Sequence, residues 1–249
     1  MSERAWVIGM GEVGRRIADA LADDGLEVVP VTRATSLVPA AGDQHGLRVV
    51  CVREDDLPGV LDAIDGVPAH EVVTVQNGWV RDLVPPGSTR ALIWFTSKGD
   101  FFRPLRPTPV TGPAAHRIVT ALSRSDIPAR AVDPSEFDPL DADKMGFNCV
   151  VGLPLAVHGV SLGEYLEHHS HEAEQVFSEA LNICCRALHC SPPDNAWRNF
   201  QSSVEPLGWV RTGTAKALRW RNGAVVRLAD ELGLDAPHNR RLLAAVATG

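Results

Sequence analysis

Lys144, Asn148 and Gly152 recur at intervals of four within D-K-M-G-F-N-C-V-V-G-L-P-L, residues 143–155. At helical period the three share one side, while Phe147, Val150, Val151, Leu153 and Leu155 cover much of the rest. A helix this apolar is buried on several sides. A lysine and an asparagine on its wall then need a reason, because burying unpaired polar groups costs free energy. A cleft in which both point at a ligand supplies one. The chemistry open to such a pair is that of a carbonyl group. A free lysine has a pKa of ~10.4 and carries its proton at neutral pH, so it can stabilise a developing alkoxide. A positioned acid of this kind contributes about 10²–10⁴-fold, and Asn148 would orient the substrate by hydrogen bonding. The alternative for Lys144 is a snorkelling side chain or a structural ion pair with Asp141 or Asp143.

Reducing a carbonyl requires a reductant, and the first residues point to one. Ala5-Trp6-Val7-Ile8 is a short apolar run that leads into Gly9-Met10-Gly11-Glu12-Val13-Gly14. A helical pattern follows, with Ile17, Ala18, Leu21 and Ala22 on one face, closed by Gly25; Glu27 to Arg33 reads as a second strand. This is G-x-G-x-x-G with strand before, helix after and strand behind. The glycines permit a tight turn, close approach to a pyrophosphate and close helix–strand packing. The helix start adds free N–H groups and a partial positive charge for phosphates. The bland alternative is an ordinary tight turn. At the end of the second strand an acid would accept from the ribose of NAD, whereas an arginine suits the extra phosphate of NADP. Thr32-Arg33 stands there with no acid, so NADPH is the expected cofactor unless Arg33 is merely a solvated surface residue.

The elements that must position these groups fall into two regions. Residues 34–46 read as a loop, Leu47–Val52 as a strand ending in Arg53-Glu54-Asp55-Asp56, and Leu57–Ile64 as a short helix. Glu71–Val75 is a strand ending in Gln76-Asn77-Gly78, and Ala91–Thr96 another. Strands alternating with helices predict a mostly parallel sheet with ligands at the carboxyl ends of its strands, where Arg53, Asn77 and Thr96 would lie. Residues 100–113 are rich in proline and arginine and read as an extended connection; His116–Arg124 reads as a helix and Ala129–Val132 as an edge strand. The domain change is placed at Asp133-Pro134, giving a cofactor domain over 1–134 and an all-helical domain over 135–249. In the latter, helices are expected over Glu172–Leu188, Gly213–Leu232 with Gly233 as C-cap, and Pro237–Val246.

Composition bounds the reading. The 249 residues are 45% hydrophobic and 22% charged, an ordinary globular balance, and the net charge of −7 argues against nonspecific nucleic-acid binding. No apolar run approaches the ~20 residues of a membrane span. Met1-Ser2-Glu3-Arg4 leads straight into a strand-like segment with no cationic, apolar leader, so a cytoplasmic protein is expected. Five cysteines form no C-x-x-C pair, which speaks against disulfides or zinc, and Cys184-Cys185 reads as buried small apolar residues. His168-His169-Ser170-His171 is not spaced for one helix face and reads as solvated surface rather than a metal site. Trp197, Trp209 and Trp220 read as helix-packing residues.

With these pieces placed, the chain resembles the ketopantoate reductase (2-dehydropantoate 2-reductase) family, as a divergent member. The resemblance covers most of the chain and is strongest in K-M-G-F-N-C-V-V-G-L-P-L (144–155) and R-N-G-A-V-V-R-L-A-D-E-L-G-L-D-A-P-H-N (221–239). It implies a Rossmann-like domain followed by an all-helical one, and reduction of a 2-oxo acid by NADPH in the cleft between them. Carried over, Lys144 matches the catalytic lysine, Asn148 an asparagine that orients substrate, and Asn77 one near the nicotinamide ribose. Arg53 falls where the family usually has a lysine. Ser203 lies close to a substrate-contacting serine, with an alignment slip of about two residues.

Three departures bear on substrate. Gly152 stands where the family has a second asparagine. Ala217 replaces a glutamate within Lys216-Ala217-Leu218-Arg219-Trp220-Arg221-Asn222-Gly223, and the segment between Arg33 and Leu47 is short, so the sheet is expected to be reduced. Losing partners for buried polar groups changes discrimination by orders of magnitude. The expected activity is therefore NADPH-dependent reduction of a 2-oxo acid or related ketone other than ketopantoate, with specialised biosynthesis as its expected setting and Arg219 a candidate carboxylate-binding cation. The alternatives are an imine reductase, a hydroxy-acid dehydrogenase, and a non-catalytic NADP-binding sensor or scaffold. A homodimer is expected, since a helical second domain often pairs and a shortened sheet leaves an edge to cover.

Overall fold

The structure is a computed structural model and describes residues 3–37, 40, 45–212 and 217–247. Part of the expected loop over 34–46, Lys216 and the expected helix start at Gly213 lie outside the described residues. The chain divides into two compact units, Met1–Gln76 with Val80–Phe137, and Asn77–Trp79 with Asp138–Gly249. A short piece of the first third therefore packs with the helical unit, which a single boundary at 134 does not provide for.

In the first unit, β1 (Arg4–Ile8), α1 (Glu12–Asp23), β2 (Glu27–Val31), β3 (Leu47–Val50), α2 (Leu57–Ala63) and β4 (Val72–Thr74) alternate as the apolar runs predict. They build a seven-stranded sheet in the order β2-β1-β3-β4-β5-β8-β9, parallel from β2 through β5 (Thr89–Ala91). β8 (Thr108–Thr111) then runs antiparallel to β5, and β9 (Ala129–Ala131) parallel to β8 at the edge. Ala5, Val7, Val49 and Val73 on the strands close over Ile17, Ala20 and Leu21 of α1 and Ile118, Ala121 and Leu122 of α3 (Ala115–Arg124) in one apolar core.

Two expectations need correction here. The apolar run Ala91–Thr96 is not one strand: β5 ends at Ala91, and the chain turns into a separate antiparallel hairpin of β6 (Phe95–Lys98) and β7 (Phe101–Pro104). The proline-rich stretch 100–113 is likewise not a bare connection but holds β7 and β8. Pro109 is tolerated within β8 because its carbonyl, not its missing N–H, is used, accepting from Leu92 N at 3.0 Å.

A buried charge pair stiffens the sheet. Arg48 on β3 is 1% exposed, lies 4.4 Å from the Trp6 ring and hydrogen-bonds Glu71 together with the carbonyls of Ala40 (2.8 Å) and Gly46 (2.7 Å). Desolvation lowers the Arg48 pKa, against the opposing charge of Glu71. Both members are satisfied several times over, as a buried ion pair requires.

The second unit is helical: α4 (Pro134–Val150, entered from the first), α5 (Leu153–His158), α6 (Leu162–His168), α7 (Ser170–Ala187), α8 (Ala196–Val204), α9 (Asn222–Leu232) and α10 (Pro237–Ala247). Proline at the first position suits the opening of α4. Gly146 lets α4 approach α7 closely, since a Cβ there would stand 2.9 Å from the Phe177 ring. Phe147, Phe177, Trp197 and Phe200 continue the contact as an aromatic cluster, with ring centroids 4.9–5.7 Å apart.

Segment 143–155 is two helices, not one. Pro154 has no N–H to give, and its ring would meet the carbonyl four residues back, so α4 stops at Val150 and α5 restarts after Gly152. Gly152 consequently leaves the row shared by Lys144 and Asn148. The expected helix over 213–232 is also interrupted. Ala217 takes a left-handed φ of +54°, a tight turn follows at Leu218–Trp220, and α9 begins only at Asn222. Gly233 ends α9 at φ +65°. Among the described residues no helix is long and apolar enough to cross a membrane.

Candidate functional site

The glycine loop divides by physical role. Gly9 turns at φ +100°, and a Cβ there would stand 2.9 Å from the backbone of Cys51 and Val52. A Cβ on Gly14 would stand 1.9 Å from the Gly9 carbonyl oxygen. Both are glycine because the chain packs on itself there. Gly11 differs, since a Cβ would meet no protein atom within 4 Å. It lines a cavity of about 700 Å³ with Gly9, Met10, Thr32, Arg33, Val52, Arg53 and Asp56. It also caps α1 without a side-chain hydrogen bond. The first backbone turn of α1 thus begins at a bare wall, a cradle that fits the phosphates of a dinucleotide. Glu12 contributes backbone with its side chain exposed, and Val13 packs on the core.

Arg33 follows β2 and Arg53 follows β3, and both belong to this cavity. Each is mostly exposed and each approaches the same atom: Arg33 donates to Asp56 Oδ2 at 3.2 Å, and Arg53 Nε lies 3.6 Å from it. Cys51, also in the wall, has its thiol pushed up to about 12 by burial and stays neutral beside any anion.

The second set of groups lies in the helical unit. Lys144 and Asn148 stand one turn apart on α4, each 5% exposed. The Lys144 ammonium sits 4.6 Å from the Phe147 ring centroid. Asn148 Nδ2 donates to the main-chain carbonyl of Asn77, and Trp79 N donates to Trp220 O at 2.7 Å, so the 77–79 segment is held from two sides. Asn77 Oδ1 is buried with no hydrogen-bond partner. An unpaired buried acceptor costs stability and calls for a partner, which a ligand can supply.

The structure does not gather every expected residue. Thr96 is not at the carboxyl end of a parallel strand; it faces Arg103 in the β6–β7 hairpin. Gly152 stands at the α4–α5 break, with its carbonyl accepting from Thr212 Oγ1 at 3.2 Å. A Cβ on Gly152 would lie 3.9 Å from Arg221 Nη1, whereas Arg219 is exposed and lies over the Trp220 ring. Arg221, not Arg219, is thus the cation beside Gly152. Ser203 is buried on α8 and donates to Asn199 O at 2.7 Å. Trp209, expected in packing, is 54% exposed. The histidine run is only partly solvated. His168 and His171 are exposed, but His169 stacks on His158 at 4.2 Å. Among the described residues no three His, Cys, Asp or Glu side chains are placed to hold a metal ion. None of the five cysteines, all among the described residues, is in a disulfide; Cys184 and Cys185 are buried, and desolvation raises both thiols.

No protein-family model matches the chain, and no curated protein sequence does. Solved structures do. A ketopantoate reductase from Ralstonia eutropha superposes with a TM-score of 0.80 at 18% identity, over 98% of this chain and 97% of that one. The chain has the ketopantoate reductase fold. A dimeric ketopantoate reductase from Staphylococcus aureus gives 0.75 at 16% identity, and a D-mandelate dehydrogenase in complex with NADH gives 0.76 at 15%, each over 98% of both chains.

Within the ketopantoate reductase fold, the tail motif serves packing. Asn222 Nδ2 donates to Cys149 O (3.1 Å) and Asn239 Oδ1 (2.8 Å), and Glu179 accepts from the backbone of His238 and Asn239. These bonds tie α9 and α10 to α4 and α7. Gln76 was absent from the expected residues. Its amide donates to Val50 O (2.9 Å) and Val52 O (3.1 Å), fixing the strand end just before Asn77. A buried glutamine directly after an apolar strand was its only signal.

Proposed function

We propose that this protein is a nicotinamide-dependent oxidoreductase that reduces the carbonyl of a 2-oxo acid or related ketone, with NADPH as its favoured cofactor. The observation that carries the reading is a buried lysine and asparagine one turn apart on α4, with Asn148 bonded to Asn77 and the Asn77 side-chain oxygen left unpaired. A nicotinamide cofactor, when bound, supplies the hydride. The bare wall at Gly11 and the start of α1 hold its phosphates, and Arg33 and Arg53 meet a ribose phosphate. Asn77 Oδ1 accepts from a ribose hydroxyl. Asn148 orients the substrate, and Lys144 donates a proton to the carbonyl oxygen as it becomes an alcohol, then recovers one from water. Gly152 and the neighbouring Arg221 make the substrate end roomier and more cationic, which supports an acid other than ketopantoate.

The likeness to a D-mandelate dehydrogenase supports a second reading, oxidation of a 2-hydroxy acid by the same groups with the proton moving to Lys144. The likeness to a dimeric reductase supports a homodimer, which light scattering would test.

The deciding experiment follows NADPH oxidation with ketopantoate and bulkier 2-oxo acids, ketones and imines, and the reverse reaction with 2-hydroxy acids. Lys144→Ala is run in parallel. Turnover of some panel member that falls about 10²–10⁴-fold in the variant, with dinucleotide affinity unchanged, is the expected result. Tight dinucleotide binding without turnover in either direction would favour a sensor, and no binding would overturn the reading.

A further inference from the structure

Arg33 stands two residues after β2, and by chain order no acid accompanies it. The fold brings one there. Asp56 closes the tight turn Glu54–Asp56 that follows β3, and its Oδ2 takes Arg33 at 3.2 Å with Arg53 at 3.6 Å in the wall of the dinucleotide cavity. Oδ1 takes no hydrogen bond among the described residues. This corner of the cavity thus holds two cations and one carboxylate, supplied by two different strand ends.

These groups pull in opposite directions. A ribose with a free 2′-hydroxyl is a donor, and a carboxylate is the acceptor that reads it. A ribose 2′-phosphate is an anion that gains from Arg33 and Arg53, but it must displace the carboxylate they hold and stand close to its like charge. We propose that Asp56 is a cofactor-specificity residue, and that it gives the site a hold on NADH as well as NADPH. This rests on the nicotinamide reading above. Asp56 accepts from the adenosine ribose of NADH; Arg33 and Arg53 leave it for the phosphate of NADPH. A rival role for Asp56 is to order the two arginines for phosphate, and that role predicts the opposite sign on its removal.

The test is equilibrium binding by calorimetry, with no substrate present, of NADH, NADPH, 5′-AMP and 2′-phospho-AMP. The wild type, Asp56→Asn and Arg33→Ala are compared, with thermal melts to verify folding. The wild type is expected to bind NADH and NADPH within about tenfold of one another. Asp56→Asn weakens NADH and 5′-AMP by about tenfold while NADPH and 2′-phospho-AMP hold or tighten. Arg33→Ala does the reverse. A wild type that prefers NADPH by more than about a hundredfold, or an Asp56→Asn variant that loses the 2′-phosphorylated ligands, would overturn the proposal. Failure to bind any of the four would remove the nicotinamide reading along with it.

Discussion

Asn148 donates its side-chain amide to the main-chain carbonyl of Asn77, 71 residues away, while the Asn77 side-chain oxygen stays buried without a partner. One asparagine thus positions the other through the backbone and leaves its side chain available.

That division separates two substitutions usually treated alike. Asn148→Ala leaves the Asn77 carbonyl unpaired and is expected to cost about 1–3 kcal/mol in urea denaturation. Asn77→Ala keeps the backbone bond and removes an unsatisfied acceptor, so stability holds or rises by up to about 1 kcal/mol while dinucleotide affinity falls. Equal destabilisation by the two would contradict the arrangement.

The glycines make a second contrast. Gly14→Ala forces a Cβ into the Gly9 carbonyl and is expected to destabilise by about 3 kcal/mol or more. Gly11→Ala meets open space, costs no more than about 1 kcal/mol as an N-cap change, and weakens dinucleotide binding at least about tenfold. Melting curves with and without NADPH read both effects.

A pH-dependent contribution to stability centres on Glu172. It accepts from His158 Nε2 (2.9 Å), Tyr165 (3.0 Å) and Arg241 (2.7 Å). Burial alone would raise its carboxyl, but the hydrogen bonds from His158 and Tyr165 and the charges of His158 and Arg241 outweigh it and hold the group below the usual range. The neighbouring Tyr165 hydroxyl is pushed up, by burial first and by Glu172 second. A carboxyl depressed on folding adds stability that is full above its unfolded value of about 4.3 and is lost as pH falls through the folded one. Glu172→Gln is therefore expected to cost about 1–2 kcal/mol at pH 7 and progressively less as pH falls below about 4. A difference independent of pH would assign the network a packing role only.

What the sequence made legible was what neighbours in sequence decide. The glycine loop, its strand and its helix depend on residues within a few positions of Gly9, and they stand as predicted. Pro154 also carried a local signal, the end of α4, which the apolar continuity of 143–155 overrode. The split of Ala91–Thr96 was not local, because it depends on β8 arriving to pair with β5. Asp56 reaching Arg33, and Arg221 reaching Gly152, are equally products of tertiary folding. Residue types suggested the chemistry proposed above; the neighbours around those residues came from distant parts of the chain.

The placement of Asn77–Trp79 in the helical unit also governs the order of assembly. During synthesis the strands through Gln76 emerge first and can pair, but Trp79 finds its acceptor only once Trp220 has been made. The bond that ties this segment to the helical unit spans a long loop, whose closure entropy must be met before it forms. A ribosome stalled before Trp220 would hold a chain with its sheet strands and its Asn148–Asn77 contact made and the Trp79–Trp220 bond still to form.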